Sequence, residues 1–208
     1  MLHTHEIFFI ALAFFSELFG TLSGVSSSSL FVPLGVFFES IQVTLFLTSC
    51  LHVLGNSYRM YIYWKNIDWK LTAKFGLVSI LMSGIGAQIS DSIPKSYFSL
   101  ILGIFLISIS ILFWKEKRSD VFQSKWSSYI AGGLSGFLTG ALGSGGAVRS
   151  LALSSFKLTP FSFTATSTVI DLGGDLLRLN VYLSKGYADQ EHLFYLPIFI
   201  IVVFISNW

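Results

Sequence analysis

Long apolar segments follow one another along most of the chain, and only short polar stretches separate them. Crossing about 30 Å of hydrocarbon takes about 20 apolar residues in a helix. Five segments meet that requirement: 7–22, 41–63, 71–89, 97–114 and 161–183. Two more, 129–142 and 193–208, are shorter but equally apolar. The pattern predicts an all-α integral membrane protein with about seven spanning helices.

Two further apolar segments, 30–38 and 147–156, are too short to cross a bilayer at about 1.5 Å per residue. We expect them to be half-helices or re-entrant segments. Each follows a run of small residues, namely Ser26, Ser27, Ser28 and Ser29 in the first case and Gly143, Ser144, Gly145 and Gly146 in the second. Because serine and glycine are poor helix formers and glycine allows tight turns, these runs predict two breaks in the membrane segments.

The two halves of the chain share a motif order. A pair of glycines four residues apart precedes each small-residue run, and a Thr-Ser pair follows it at a constant offset of 118 residues. The residues concerned are Gly20, Gly24, Thr48 and Ser49 in the first half and Gly136, Gly140, Thr166 and Ser167 in the second. We expect the glycines to allow close helix packing. The order predicts a duplicated helical bundle.

The predicted repeats are residues 1–114 and 127–208, joined by a basic cytoplasmic loop at 115–126. We expect the second repeat to be truncated at its C-terminus, because segment 97–114 has no second copy. The sequence leaves open whether the two repeats run parallel or inverted.

Composition and charge agree with a membrane location. Hydrophobic residues make up 53% of the chain and charged residues 12%, against about 25% charged in soluble domains. The basic residues fall mainly between apolar segments, and no Lys/Arg-rich patch alternates with aromatic residues, which excludes a nucleic-acid surface. Two loops hold most of them: Lys65, Lys70 and Lys74, then Lys115, Lys117, Arg118 and Lys125. Since cytoplasmic loops carry excess Lys and Arg, both loops are expected in the cytoplasm, which indicates a multi-pass protein of the cell inner (plasma) membrane.

Several charged residues fall inside predicted spans, where a charge must face the protein interior. They are Glu17, Arg149, Asp171, Asp175 and Arg178. Asp175 and Arg178, three residues apart, predict an ion pair on one helix face. Arg149 either offers its guanidinium to an anion or balances Asp171 or Asp175.

Two other polar residues, His52 and Arg59, lie in segment 41–63. We expect Arg59 to extend to the membrane interface. His52 is expected to be a hydrogen-bonded packing residue rather than a proton relay.

The two breaks favour anion binding, because backbone N–H groups at a helix start lack intrahelical partners and an anion supplies an acceptor. We expect Glu17 or Asp171 to couple transport to protons. The chain contains no recognisable catalytic motif, so we expect no enzyme activity, no cofactor and no metal site. The predicted substrate-binding residues are Ser26, Ser27, Ser28, Ser29, Thr48, Ser49, Gly143, Ser144, Gly145, Gly146, Arg149, Thr166 and Ser167.

The ordered motifs resemble those of the sulfite exporter TauE/SafE family. The first copy comprises the glycine pair, the small-residue run, Val32-Pro33, Thr48-Ser49, the stretch 65–70 and Gly84-Ile85-Gly86-Ala87. The second copy comprises the glycine pair, the small-residue run, Ala165-Thr166-Ser167 and the stretch 185–189. The resemblance covers nearly the whole chain. It implies a bacterial-type inner-membrane permease for sulfur-containing or organic oxyanions such as sulfite or sulfonates, and it implies that the protein is not an enzyme.

The functional hypothesis is a permease that moves a small anion by alternating access between two repeats. A passive anion channel and a non-transporting intramembrane enzyme or scaffold are the alternatives. The expected partners are a small anionic substrate and the lipid bilayer, without nucleic acid, and a homo-oligomer stays open.

Overall fold

A computed structural model describes residues 4–23, 26–115 and 125–207. These residues form helices and turns without a strand, which confirms the all-α prediction for the described part of the chain. Five helices are long: α1 (Thr4–Ser23), α3 (Ile41–Tyr63), α6 (Lys95–Lys115), α7 (Lys125–Leu142) and α9 (Pro160–Ser184). Three are shorter: α2 (Ser28–Gly35), α8 (Gly146–Ser154) and α10 (Tyr195–Ser206).

The remaining long segment, between α3 and α6, is composite. It consists of α4 (Trp69–Leu71), a π-helical turn (Thr72–Gly76), α5 (Leu77–Ile89) and a 3-10 turn (Ser90–Ser92). It starts two residues before the predicted 71–89 because the Asp68 carboxylate accepts a hydrogen bond from the Leu71 amide at 2.9 Å.

Three helical segments of the described chain are long and apolar enough to cross a membrane, where the sequence pattern predicts about seven. They are His5–Ser23, Trp69–Ser92 and Lys95–Leu112. Helices α3 and α9 contain 23 and 25 residues, but both carry polar side chains toward the bundle centre.

Apolar side chains such as Phe15 and Ile107 face outward, whereas Glu17, Asp175 and Arg178 are fully buried. Polar groups inside and apolar groups outside is the arrangement that a lipid solvent favours.

Helices α3 and α9 cross antiparallel at the centre of the bundle. The Asn56 amide donates a hydrogen bond to Asp175 at 2.9 Å, and further along α3 the Tyr63 ring lies 6.2 Å from the Phe161 ring. The chain therefore runs in opposite directions in α3 and α9.

Helix α2 folds back along α1. The Ser27 hydroxyl donates to Glu17 at 2.7 Å, whereas the Phe38 ring beyond α2 stacks on Phe8 at 6.5 Å. Helix α2 thus runs back toward the end of the bundle where α1 begins. Gly24 lies outside the described residues. The predicted short segment 30–38 corresponds to α2, which begins at Ser28 and ends at Gly35, and the Ser29 amide bonds the Ser26 carbonyl at 3.0 Å at its start.

The helices of the two halves have equivalent neighbours. Helix α1 packs on α2 and α10, and α7 packs on α8 and α5. Helix α3 packs on α10 as α9 packs on α5. Helix α8 begins 118 residues after α2, and α10 begins 118 residues after α5. The offset between the two Thr-Ser pairs thus recurs in these two pairs of helix starts, whereas α9 begins 119 residues after α3.

Helices α5 and α7 approach each other at glycines. A Cβ added at Gly136 or Gly140 would overlap the backbone carbonyl of Ser79 or Ser83. On α5, a Cβ at Gly86 would overlap the Phe137 carbonyl. Close backbone contact through small residues is a general mode of helix packing in membranes, and the prediction for Gly136 and Gly140 is confirmed.

Replacing Gly140 by valine tests this contact. We expect Gly140→Val to lower the free energy of unfolding by about 1–3 kcal/mol, because neither backbone can move away without separating α5 from α7. Gly103→Val on α6 is the matched control, since nothing lies within 4 Å of a Cβ there. The measurement is thermal unfolding in detergent, and an equal shift for both variants would contradict the packing argument.

A polar cavity at the two helix breaks

The two small-residue breaks lie against each other. The Ser144 hydroxyl donates to the Ser29 hydroxyl at 3.5 Å, and a Cβ at Gly146 would overlap the Ser26 side chain. Gly143 has a φ of +71°, which favours glycine, and a Cβ at Gly145 would overlap the Ser135 carbonyl. The small residues are therefore needed for α2 and α8 to begin side by side.

A cavity of about 170 Å³ lies beside these helix starts. It reaches from His52 in the middle of α3 to Ile62 and Tyr63 at its end. Since a water molecule occupies about 30 Å³, there is room for a small oxyanion with water. The polar side chains along its wall are Thr21, Ser26, Ser27, His52, Asn56, Arg59, Arg149, Thr164, Ser167, Thr168, Asp171 and Asn207.

Arg149 extends from the first turn of α8 into this cavity. Its Nε donates to the Ser167 hydroxyl at 2.9 Å, and its Nη1 forms an ion pair with Asp171. The sequence left Asp171 and Asp175 open as partners of Arg149, and in the structure the partner is Asp171. The guanidinium is 3% exposed, so the ion pair neutralises a charge that is almost removed from solvent.

Arg59 turns inward and forms a second ion pair. Its Nη2 lies 2.7 Å from Glu17, its Nη1 donates to Asn56 at 3.2 Å, and its Nε donates to Asn207 at 2.7 Å. The prediction that Arg59 extends to the membrane interface is wrong. Glu17 is fully buried and needs a cation, which outweighs the benefit of placing the guanidinium in water.

Asp175 and Arg178 form the third pair, as their spacing predicts. Arg178 Nε lies 2.9 Å from the carboxylate, and both side chains are fully buried. Asn56 donates to the other carboxylate oxygen, and Arg178 also donates to the Thr139 carbonyl at 3.2 Å.

His52 connects the second pair to the third. Its Nε2 lies 2.9 Å from the Ser27 hydroxyl, which donates its own proton to Glu17. Its Nδ1 lies 3.4 Å from Arg178 Nη2. A neutral imidazole with its proton on Nε2 satisfies all of these contacts. His52 is a hydrogen-bonded residue, as expected, and it also lines the cavity.

Four of the predicted substrate-binding residues line the cavity, namely Ser26, Ser27, Arg149 and Ser167. The other nine do not. Thr48 and Ser49 bond carbonyls of their own helix at 2.6 Å, and Thr166 accepts from the Asp68 amide at 2.9 Å. Ser28, Ser29, Gly143, Ser144, Gly145 and Gly146 lie at or beside the contact between the breaks.

Sequence reasoning missed Asn56, Arg59 and Asn207 as wall residues. The signal for the first two was present, because residues 52, 56 and 59 lie on one helix face at spacings of four and three. Asn207 follows α10 and had no such signal.

At the opposite end of the bundle, side chains at the end of α9 contact α7 and the end of α5. The Tyr182 hydroxyl donates to the Gly140 carbonyl at 2.5 Å, and its ring stacks on Tyr187 at 5.2 Å. Farther out, Lys185 Nζ lies 2.6 Å from Asp91.

An apolar helical exterior around a charged, cavity-bearing interior defines a membrane protein of the transporter kind. The model of the family described as Sulfite exporter TauE/SafE matches residues 9–208, nearly the whole chain, and the chain belongs to this family. The family is one of membrane transporters for sulfite and related anions. No curated protein and no solved structure matches the chain.

Removing one member of the Asp175–Arg178 pair should be far more damaging than removing both. We expect Arg178→Met to cost about 3 kcal/mol or more in unfolding free energy, because it leaves a buried carboxylate without its cation. The double variant Asp175→Leu with Arg178→Met should recover most of that loss. Thermal unfolding in detergent measures both, and a double variant no more stable than the single one would refute a balanced pair.

Proposed function

We propose that this protein carries a small oxyanion, such as sulfite or a sulfonate, across the inner (plasma) membrane by alternating access. The observation that carries the proposal is the cavity beside the two helix breaks, with Arg59 and Arg149 on its wall. An internal polar site with cations is what an anion requires at membrane depth.

Two inverted repeats, residues 1–114 and 127–208, would supply the alternating movement. Two observations support this architecture. Helices α3 and α9 cross antiparallel. Helices α1 and α3 pack on α10 of the second half, as α7 and α9 pack on α5 of the first half. About seven helical segments would cross the membrane, with α2 and α8 as re-entrant pieces.

The cavity would face the cytoplasm in this conformation. Tyr63 at its end adjoins the loop that carries Lys65 and Lys70, and such loops are retained on the cytoplasmic side. The contacts of Tyr182 and Lys185 would then form the closed outer gate. Closure at that end would favour a carrier over a passive channel.

Arg149, Ser167 and Ser26 are the proposed anion ligands, because the Ser27 hydroxyl already donates its proton to Glu17. A guanidinium binds a tetrahedral or pyramidal oxyanion through two parallel N–H groups, and hydroxyls add further donors. The first backbone amides of α8 have no partner within the helix and would be further donors. The substrate would replace Asp171 as the anionic partner of Arg149.

A proton would accompany the anion. The three arginines of the network are each paired with one carboxylate, so an entering anion adds an unbalanced negative charge. Protonation of Asp171 would restore the balance and release Arg149. Glu17 is the second candidate for this role, but it is fully buried, whereas Asp171 reaches the cavity.

Sulfite flux into proteoliposomes tests the anion site. We expect Arg149→Gln to lower the flux at least about tenfold, because the substrate loses a charge-assisted pair of hydrogen bonds. Lys157→Gln, which removes an exposed cation just beyond α8, is the matched control and should transport like the wild type.

A second variant separates binding from folding. In Arg149→Gln with Asp171→Asn no charge is left unpaired, so the protein should fold normally and still fail to transport. Wild-type flux in this double variant would refute the site.

The pH dependence of flux tests the proton. We expect wild-type flux to rise as the pH falls and a proton gradient to drive sulfite above equilibrium. Asp171→Asn should remove both effects, because the amide cannot take up a proton. Asp189→Asn, an exposed carboxylate at the other end of α9, should keep them. Uphill accumulation that persists in Asp171→Asn would exclude this residue as the coupling group, and accumulation that never exceeds equilibrium in the wild type would favour a channel.

A further inference from the structure

A second cavity, of about 270 Å³, lies away from the anion site. It sits where α4 and the π-helical turn meet the start of α7 and the loop between α8 and α9. The exposed Lys70 and Lys74 line it together with the buried Leu71 and the partly buried Phe156 and Leu158. The cavity therefore combines a basic rim with an apolar floor.

The two lysines are available for a ligand. They are four residues apart on one helix face, both are exposed, and neither has an ion pair or hydrogen bond with any described residue. The Asp68 carboxylate also reaches the cavity, but one of its oxygens accepts from the Leu71 amide at 2.9 Å. The rim thus carries a net positive charge.

The cavity lies at the level of the lipid headgroups. Trp69 is adjacent to Lys70 and is 60% exposed, and Trp64 is 56% exposed. Exposed indoles concentrate at the membrane–water boundary. One turn beyond Lys74, Leu77 is 58% exposed and faces the region of the acyl chains.

We propose that this cavity binds the headgroup of an anionic phospholipid. The lysines would hold the phosphate, and Leu71, Phe156 and Leu158 would contact the glycerol and the first methylene groups. Basic pockets between helices on the cytoplasmic side of a membrane bind lipid headgroups in this way.

The lysine pair is not required by the repeated fold. The positions 118 residues further on are Ala188 and His192, at the opposite end of the bundle. Within the described residues, the equivalent positions at that end therefore lack the lysine pair. A lipid there would also contact the segment that leaves α8, because Phe156 and Leu158 belong to it.

Native mass spectrometry of the full chain in detergent, with phosphatidylglycerol and phosphatidylcholine as probes, tests the proposal. We expect the wild type to retain phosphatidylglycerol and Lys70→Gln with Lys74→Gln to bind it at least about tenfold more weakly. Lys65→Gln is the matched control. It belongs to the same basic loop but stands over Trp64 at 5.8 Å and outside the cavity, so it should bind like the wild type.

A second measurement uses the wild-type protein and so does not depend on how a variant folds. Brominated phosphatidylglycerol should quench the tryptophan fluorescence of the wild type more than brominated phosphatidylcholine at the same mole fraction, and equal quenching by the two lipids would contradict the proposal. Equal binding of phosphatidylglycerol by the double variant and Lys65→Gln would overturn the proposal. Displacement of the lipid by millimolar inorganic phosphate would also overturn it, because the site would then belong to a free anion.

Discussion

Three buried Arg–carboxylate pairs hold the centre of this bundle together. A charge in an apolar helical bundle is expensive unless a partner neutralises it, and each of Arg59, Arg149 and Arg178 has one carboxylate at contact distance. The pairs join α1 to α3 and α8 to α9, and His52 joins two of them through Ser27 and Arg178. Removing any member would leave an opposite charge without compensation, so each pair favours the helix arrangement of this structure.

The helix breaks supply the geometry that this network needs. Arg149 can reach Asp171 from α8 because α8 starts inside the bundle, and it starts there because Gly145 and Gly146 let its first turn lie against the Ser135 carbonyl and the Ser26 side chain. Likewise, Ser27 reaches Glu17 because α2 runs back along α1. The small residues at the breaks thus allow charged side chains of different helices to come within contact distance. The small-residue runs and the charged residues inside the spans, which are separate features of the sequence, therefore belong to one arrangement.

Sequence patterns predicted the features that depend on local spacing. The Asp175–Arg178 pair follows from three residues on one helix, and the breaks follow from runs of residues that do not favour helices. The Glu17–Arg59 pair could not be derived in the same way, because 42 residues separate its members and a single sequence contains no distances. The hydroxyls of Thr48 and Ser49 were assigned to a substrate, but a hydroxyl in a helix can bond a carbonyl of the preceding turn, and theirs do. Local satisfaction of this kind cannot be distinguished from ligand binding by residue type alone.

A site in which every arginine is already paired is well suited to reversible anion transport. A bare guanidinium in this environment would be costly to bury, and it would also hold an oxyanion too firmly for release. When Asp171 occupies Arg149, a substrate replaces one anionic partner by another, so the change in free energy on binding is the difference between two similar interactions. Such a difference is small and can change sign with the protonation of one carboxylate. The ion pair beside the helix break would therefore be the element that lets the same residues bind the anion on one side of the membrane and release it on the other.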